Sequence, residues 1–190
     1  MFFGDVIVMI SRERERLMSI NEPSPSAGFQ IFRAADASGL MEAACMEMAP
    51  MSDAQRQGMR KLVEAGYLHG DDVRILVDLP GFSLAHAWLK KDYPLTLHSH
   101  DSDCLYYVVA GNLKIGTEEL GAGDSFFVPQ GVPYTYRPGP EGVEVLEFRH
   151  SDKFNFLNLS KGAAFYEKAA ETIAANVDNW KVAKRPPLNV

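Results

Sequence analysis

Two histidines one residue apart, in the segment LHSHDSDCLYYVVAG (residues 97 to 111), carry the clearest chemical signal in this chain. His98 and His100 sit in a run of β-forming residues, and strand side chains alternate faces, so both rings point the same way. Two imidazoles converging on one side of a sheet could share a divalent transition metal, Fe foremost, with Zn, Ni, Cu or Mn as alternatives. Cys104, four positions after His100, could complete the set as a thiolate, because a bound cation deprotonates a thiol outright. Its other reading is a small buried hydrophobe. Tyr106 and Tyr134 are candidates for donating a proton to developing oxyanion charge. Tyr136 and His86 would belong to the substrate pocket. Glu147 and His150, further along, read as structural or exposed, Asp103 as having the wrong parity, and His69 as a solvated loop residue.

These residues need a frame to bring them together. From residue 73 the chain breaks into short β-rich runs such as VRILVDL, FSLAHAWLK and VEVLEFRH. Gly, Pro and Asp turns separate them at spacings of roughly eight to twelve residues, the rhythm of an antiparallel sandwich or barrel. Ahead of them, Ser52 and Gln55 make a capping-box pattern and Gly66 a stop, which predicts a helix over about residues 53 to 65. Beyond Ser160, apolar residues from Phe165 to Trp180 recur at three- and four-residue steps, predicting a long amphipathic helix that covers the barrel or a dimer seam. The expected organisation is an N-terminal extension and linker over 1–28, a helical and strand cap over 29–72, a barrel over 73–150, and a C-terminal helix and tail over 151–190.

The turn residues make the barrel more specific. Cys104 is followed by Gly111, and Gly123, Pro129 and Gly131 recur in GDSFFVPQGVPY. With His98-x-His100 this resembles the cupin superfamily, whose motifs read G-x5-H-x-H-x3–4-E-x6-G and G-x5-P-x-G-x2-H-x3-N. The resemblance covers residues 73 to 150. It implies a mainly β protein, a single cupin jelly-roll β-barrel with flanking N-terminal and C-terminal α-helices. It also implies one divalent metal in the lumen, held by three histidines and a glutamate. Only His98 and His100 match those ligands in kind. Cys104 stands at the glutamate position, Tyr134 at the third histidine, Asp92 at the opening glycine and Pro138 at the closing asparagine. The thiol dioxygenases of that superfamily also carry Cys in place of the glutamate, where it lies beside iron and can cross-link to a tyrosine. Their spacing is one residue longer, and they keep the third histidine.

Composition excludes other classes. With 19 Lys+Arg against 25 Asp+Glu the net charge is −6, which argues against a nucleic-acid partner. The one dense cationic run, Arg12, Arg14 and Arg16, alternates with Glu13 and Glu15 as a solvated helical face. The apolar opening MFFGDVIVMI is too short to span a bilayer, and its basic residues follow rather than precede it, unlike a secretory signal. Met18 is an alternative start. Two cysteines, Cys45 and Cys104, give no secreted framework and suit a reducing cytoplasm.

Two functions remain open. One is a metal-dependent, dioxygenase- or isomerase/lyase-type enzyme acting on a small aromatic or carbonyl-bearing molecule. The other is a metal-free or degenerate barrel serving as a small-molecule binding module. The resemblance also implies a homodimer, because sheet edges in such barrels have to be covered. Light scattering at micromolar concentration should give twice the chain mass of 21.1 kDa.

Overall fold

The computed structural model describes residues 28 to 186. The chain divides into two units, Met1–Ile31 and Phe32–Val190, and all the described strands and helices belong to the second. The Arg12–Arg16 run, the apolar opening, Met18 as a start and the last residues of the tail lie outside the described residues.

Among the described residues, ten strands in two sheets, one antiparallel and one mixed, form the barrel. In chain order they are β1 (Ser38–Gly39), β2 (Met46–Met48), β3 (Asp71–Leu79), β4 (Phe82–Leu89) and β5 (His98–Ser99). After these come β6 (Cys104–Ile115), β7 (Glu118–Gly121), β8 (Ser125–Val128), β9 (Arg137–Arg149) and β10 (Phe154–Asn158). Seven of them make one sheet in the order β1-β3-β4-β9-β6-β7, with β8 also paired to β6. The second sheet runs β2-β10-β5, in which β10 is parallel to β2 and antiparallel to β5. The interior is built by period-two alternation. Along β6, Cys104, Tyr106, Val108 and Ala110 are buried. Across β9, Val145 faces Val108 on one side and Ala87 on the other.

Three backbone positions show why particular residue types stand where they do, the first of them inside β6 rather than in a turn. Gly111 has φ +71°, and a Cβ there would meet the Gly142 carbonyl oxygen at 2.1 Å, so no side chain fits. Gly131, also at positive φ, donates its N–H to the His100 carbonyl at 2.7 Å. The turn after Pro129 is thereby tied to the strand that carries the imidazoles. Asp92, where the resemblance would place a glycine, adopts φ 57°, a left-handed conformation that Asp tolerates better than most residues.

Three α-helices accompany the sheets among the described residues: α1 (Leu40–Ala43), α2 (Asp53–Ala65) and α3 (Ala163–Val182). The capping box at Ser52 and Gln55 is present, and Gly66 ends α2 in the left-handed region at φ 107°. Helix α3 covers the barrel. Its Trp180 is buried and donates Nε1–H to the Lys91 carbonyl at 2.8 Å. Among the described residues no helix is long and apolar enough to cross a membrane.

The two long helices meet where α2 has no side chain. A Cβ on Gly58 would lie 2.3 Å from Cγ of Tyr166, whose ring fills the space. Tyr166 in turn donates its hydroxyl to the Ser160 carbonyl and accepts from Asn158, fastening both helices to the end of β10. Gly58→Ala should therefore cost about 1–3 kcal/mol of stability by overpacking, despite the better helix propensity of Ala. The urea midpoint checks this.

Candidate functional site

The two imidazoles are fixed by the backbone. His98 Nδ1 meets the Thr96 carbonyl at 2.7 Å, and His100 Nδ1 meets the Asn155 carbonyl at 2.5 Å. A carbonyl can only accept, so both Nδ1 atoms carry the proton and both Nε2 atoms keep a lone pair. The ring centroids are 5.0 Å apart, and Phe156 stacks on His98 at 4.6 Å. Burial pushes the His98 pKa down to about 4, with His100 adding to the shift and the Thr96 bond opposing it. Burial lowers His100 as well, followed by the charge of Arg149. Both rings are neutral acceptors at pH 7.

Tyr134 is brought to them by an isolated backbone bridge. His98 N donates to Tyr134 O at 3.1 Å and Tyr134 N to His98 O at 2.9 Å. Directly opposed residues share a face, which puts the phenol ring 4.3 Å from the His98 ring.

Behind Tyr134 runs a polar chain. Arg149, only 1% exposed, donates Nη1–H to Glu147 Oε2 at 2.7 Å and Nη2–H to the Tyr106 hydroxyl oxygen at 3.3 Å. The Tyr106 and Tyr134 hydroxyls are hydrogen-bonded to each other. Tyr106 is buried and its oxygen already accepts from a cation, so its own proton is best satisfied by Tyr134. The chain then has one direction: Arg149 to Tyr106, Tyr106 to Tyr134, and the Tyr134 hydroxyl free to donate. Burial opposes the charge of Arg149, but Glu147 and the surrounding phenols outweigh it and hold the guanidinium ionised. Burial, reinforced by Glu147, raises both phenol pKa values, so Tyr134 donates a hydrogen bond without giving up its proton.

These groups border a cavity of about 560 Å³, within the range of small-molecule sites. His98, His100, Tyr134, Tyr136, Glu147 and Arg149 contribute to its wall, as does Asp71 from β3. Apolar surface from Met41, Met48, Met59, Phe154 and Phe156 makes up much of the remainder.

Several expectations are corrected here. Cys104 is buried but does not line the cavity, and its Sγ turns toward the Leu105 carbonyl at 3.8 Å. Its side chain is shorter than the glutamate it replaces and does not reach as far into the lumen. Burial, then Glu147, pushes its thiol up to about 12. Tyr106 has the expected parity but stands behind Tyr134, so it positions rather than contacts a ligand. His86 leaves the pocket altogether. Its neighbours Ala85 and Ala87 face the lumen, and His86, on the opposite face, pairs with Glu144 at 2.6 Å. Glu147, read as structural or exposed, belongs to the site. Glu147 and Arg149 continue the inward alternation of Val143 and Val145, a signal present in VEVLEFR. Asp71, at the start of β3, was not singled out by the sequence.

No family model and no curated protein sequence matches the chain. Solved structures do. RemF, a polyketide cyclase from Streptomyces resistomycificus, aligns with a TM-score of 0.52 at 17% identity, over 79% of this chain and 99% of that one. An RmlC-like cupin from Shewanella frigidimarina NCIMB 400 aligns at 26% identity over 43% of this chain and 76% of that one, with a TM-score of 0.39. KdgF from Halomonas sp. aligns at 13% identity over 63% and 94%, with a TM-score of 0.42. The chain shares its fold with RemF.

The divalent metal that the motif resemblance implies can be tested against the donors in this barrel. His98 and His100 are suitable, since each has its second nitrogen bound to a carbonyl and its Nε2 free. The set stops there. Among the described residues no group of three His, Cys, Asp or Glu side chains is placed to hold an ion. Catalytic metal sites ordinarily use three protein ligands. Cys104 does not reach the cavity wall, and the Tyr134 hydroxyl is bonded to Tyr106. The expected His98–His100–Cys104 shell is not assembled, and the residues do not fit the ion.

The depressed His98 pKa has a consequence for stability. Unfolded, the ring titrates near 6.5; folded, near 4, so the unfolded chain binds more protons between these values. The stabilising contribution is complete above pH 6.5 and is lost as pH falls through 4. Denaturant midpoints measured across this interval should fall less steeply toward acid in His98→Asn than in the wild type.

Proposed function

We propose that the lumen binds a small, largely apolar organic molecule bearing a carbonyl group and promotes its enolisation, as an isomerase or lyase of the metal-independent kind. One observation carries this reading: a phenol held as a donor by a buried cation, facing two fixed neutral acceptors inside an apolar cavity. Tyr134 would donate to the carbonyl oxygen as negative charge develops there, the stabilisation that oxyanion sites provide. The Nε2 atoms of His98 and His100 would accept from ligand hydroxyls and set its orientation. The cavity's aromatic and methionine surface would hold an apolar, planar body. The fold shared with a polyketide cyclase is in keeping with a small-molecule role.

The test uses 1-tetralone, a bicyclic ketone with an enolisable CH2, in deuterated buffer. Wild-type protein, purified without chelator, should bind it and accelerate exchange of its α-hydrogens followed by NMR. Tyr134→Phe should lower the exchange rate constant on the order of 10²-fold, the usual loss of one oxyanion donor. Binding without accelerated exchange would favour the binding-module alternative. Exchange that depends on an added transition metal would return the chemistry to a metal enzyme.

A further inference from the structure

An enolising site needs a base as well as an oxyanion donor, and the histidines serve poorly. A group with pKa about 4, like His98, has little proton affinity at neutral pH. The opposite acid–base resource lies on β3.

Asp71 starts β3 opposite Leu89, followed by Val73 opposite Ala87, and all four side chains border the cavity. Among the described residues no cation forms an ion pair with it. Its neighbour Asp72 is fully engaged, receiving Arg74 Nε at 2.7 Å and Arg185 Nη2 at 3.0 Å. Tyr67 and Tyr93, stacked at 4.6 Å, stand beside the Asp71 carboxyl. Lys90 acts on it from a distance while donating its own hydrogen bonds to the His69 and Trp180 carbonyls at 2.8 Å. This is a carboxyl with phenols rather than a cation beside it among the described residues, on the wall of the same chamber as Tyr134.

Resting on the enolisation reading, we infer that Asp71 is the proton-transfer base of the lumen, a catalytic residue working in concert with Tyr134. The Asp71 carboxylate takes the proton from the carbon beside the carbonyl. The C–H electron pair becomes the new C=C bond, and the carbonyl π pair moves to oxygen, where the Tyr134 hydroxyl holds the negative charge. The carboxylic acid then returns a proton to carbon, and no co-reactant is consumed. Burial, with Asp72 adding to it and Lys90 and Tyr93 opposing, raises the carboxyl to about 6. It is thus mostly ionised at pH 7 yet markedly more basic than an exposed aspartate.

The same tetralone exchange assay decides the matter. Asp71→Asn should lose on the order of 10²-fold or more in exchange rate, with the dissociation constant changed by less than about threefold. The wild-type rate should rise with pH through an inflection near 6. Asp71→Glu should recover part of the rate with that inflection moved. Lys90, Asp72, Tyr67 and Tyr93 also face the carboxyl, so an inflection persisting in Asp71→Asn would assign it to one of them and overturn the proposal. Undiminished exchange in Asp71→Asn overturns the role of Asp71 alone. A wild-type protein that fails to accelerate exchange overturns the enolisation reading and this inference with it. Asp71→Asn also removes a strained charge, so its melting temperature should exceed that of the wild type at pH 7 and match it below pH 4. A variant that had lost its fold would show the reverse.

Discussion

A guanidinium sealed inside a β-barrel is the constraint around which the interior of this protein is arranged. Taking such a charge out of water costs several kcal/mol unless neighbouring groups replace the lost hydration. Arg149 recovers part of it from Glu147 two residues earlier on the same face, part from the Tyr106 oxygen, and part from the face of Phe154 at 4.1 Å. Its Nε has no partner among the described residues. Each compensating group then loses freedom of its own. Tyr106 turns its proton to Tyr134, Tyr134 inherits the direction of the chain, and the lumen acquires a donor whose orientation is set two links back, at Arg149. Apolar fillings of similar volume often match or exceed buried ion pairs in stability, so the ion pair is better understood as fixing polarity than as strengthening the fold.

Much of the architecture was legible because it rests on local rules. The capping box and Gly66 bounded α2, and the glycine and proline spacing in GDSFFVPQGVPY marked turns that do require positive φ. Period-two runs marked the long strands. What stayed hidden was pairing between distant segments. Nothing in residues 46 to 48 announces a parallel partner at residues 154 to 156. Nor could the runs on either side of Gly111 be seen to form one continuous strand.

The site was legible in half. His98, His100, Tyr134 and Tyr136 come together because alternation and one backbone bridge put them on a common face. The motif slot of Cys104 proved misleading: a slot fixes where a Cα sits, while reach belongs to the side chain. Glu147 and Arg149 carried a readable signal, inward parity on β9, but charged residues near the end of a strand look exposed until the closing sheet is seen. Asp71 has no local signature at all. Its environment is made by Tyr67, Tyr93 and Lys90, which the fold alone assembles.

Strand β10 joins β2, more than a hundred residues upstream, to β5, and its Asn155 carbonyl holds one imidazole while Phe156 stacks on the other. Contacts of such long sequence separation close late, after the entropy of the intervening loop has been overcome. During synthesis the ribosome has to release this strand before the His100 ring can be locked into its tautomer. A nascent chain ending at β9 would already hold its acidic and cationic interior residues, yet lack the strand whose Asn155 and Phe156 finish the wall around the imidazoles.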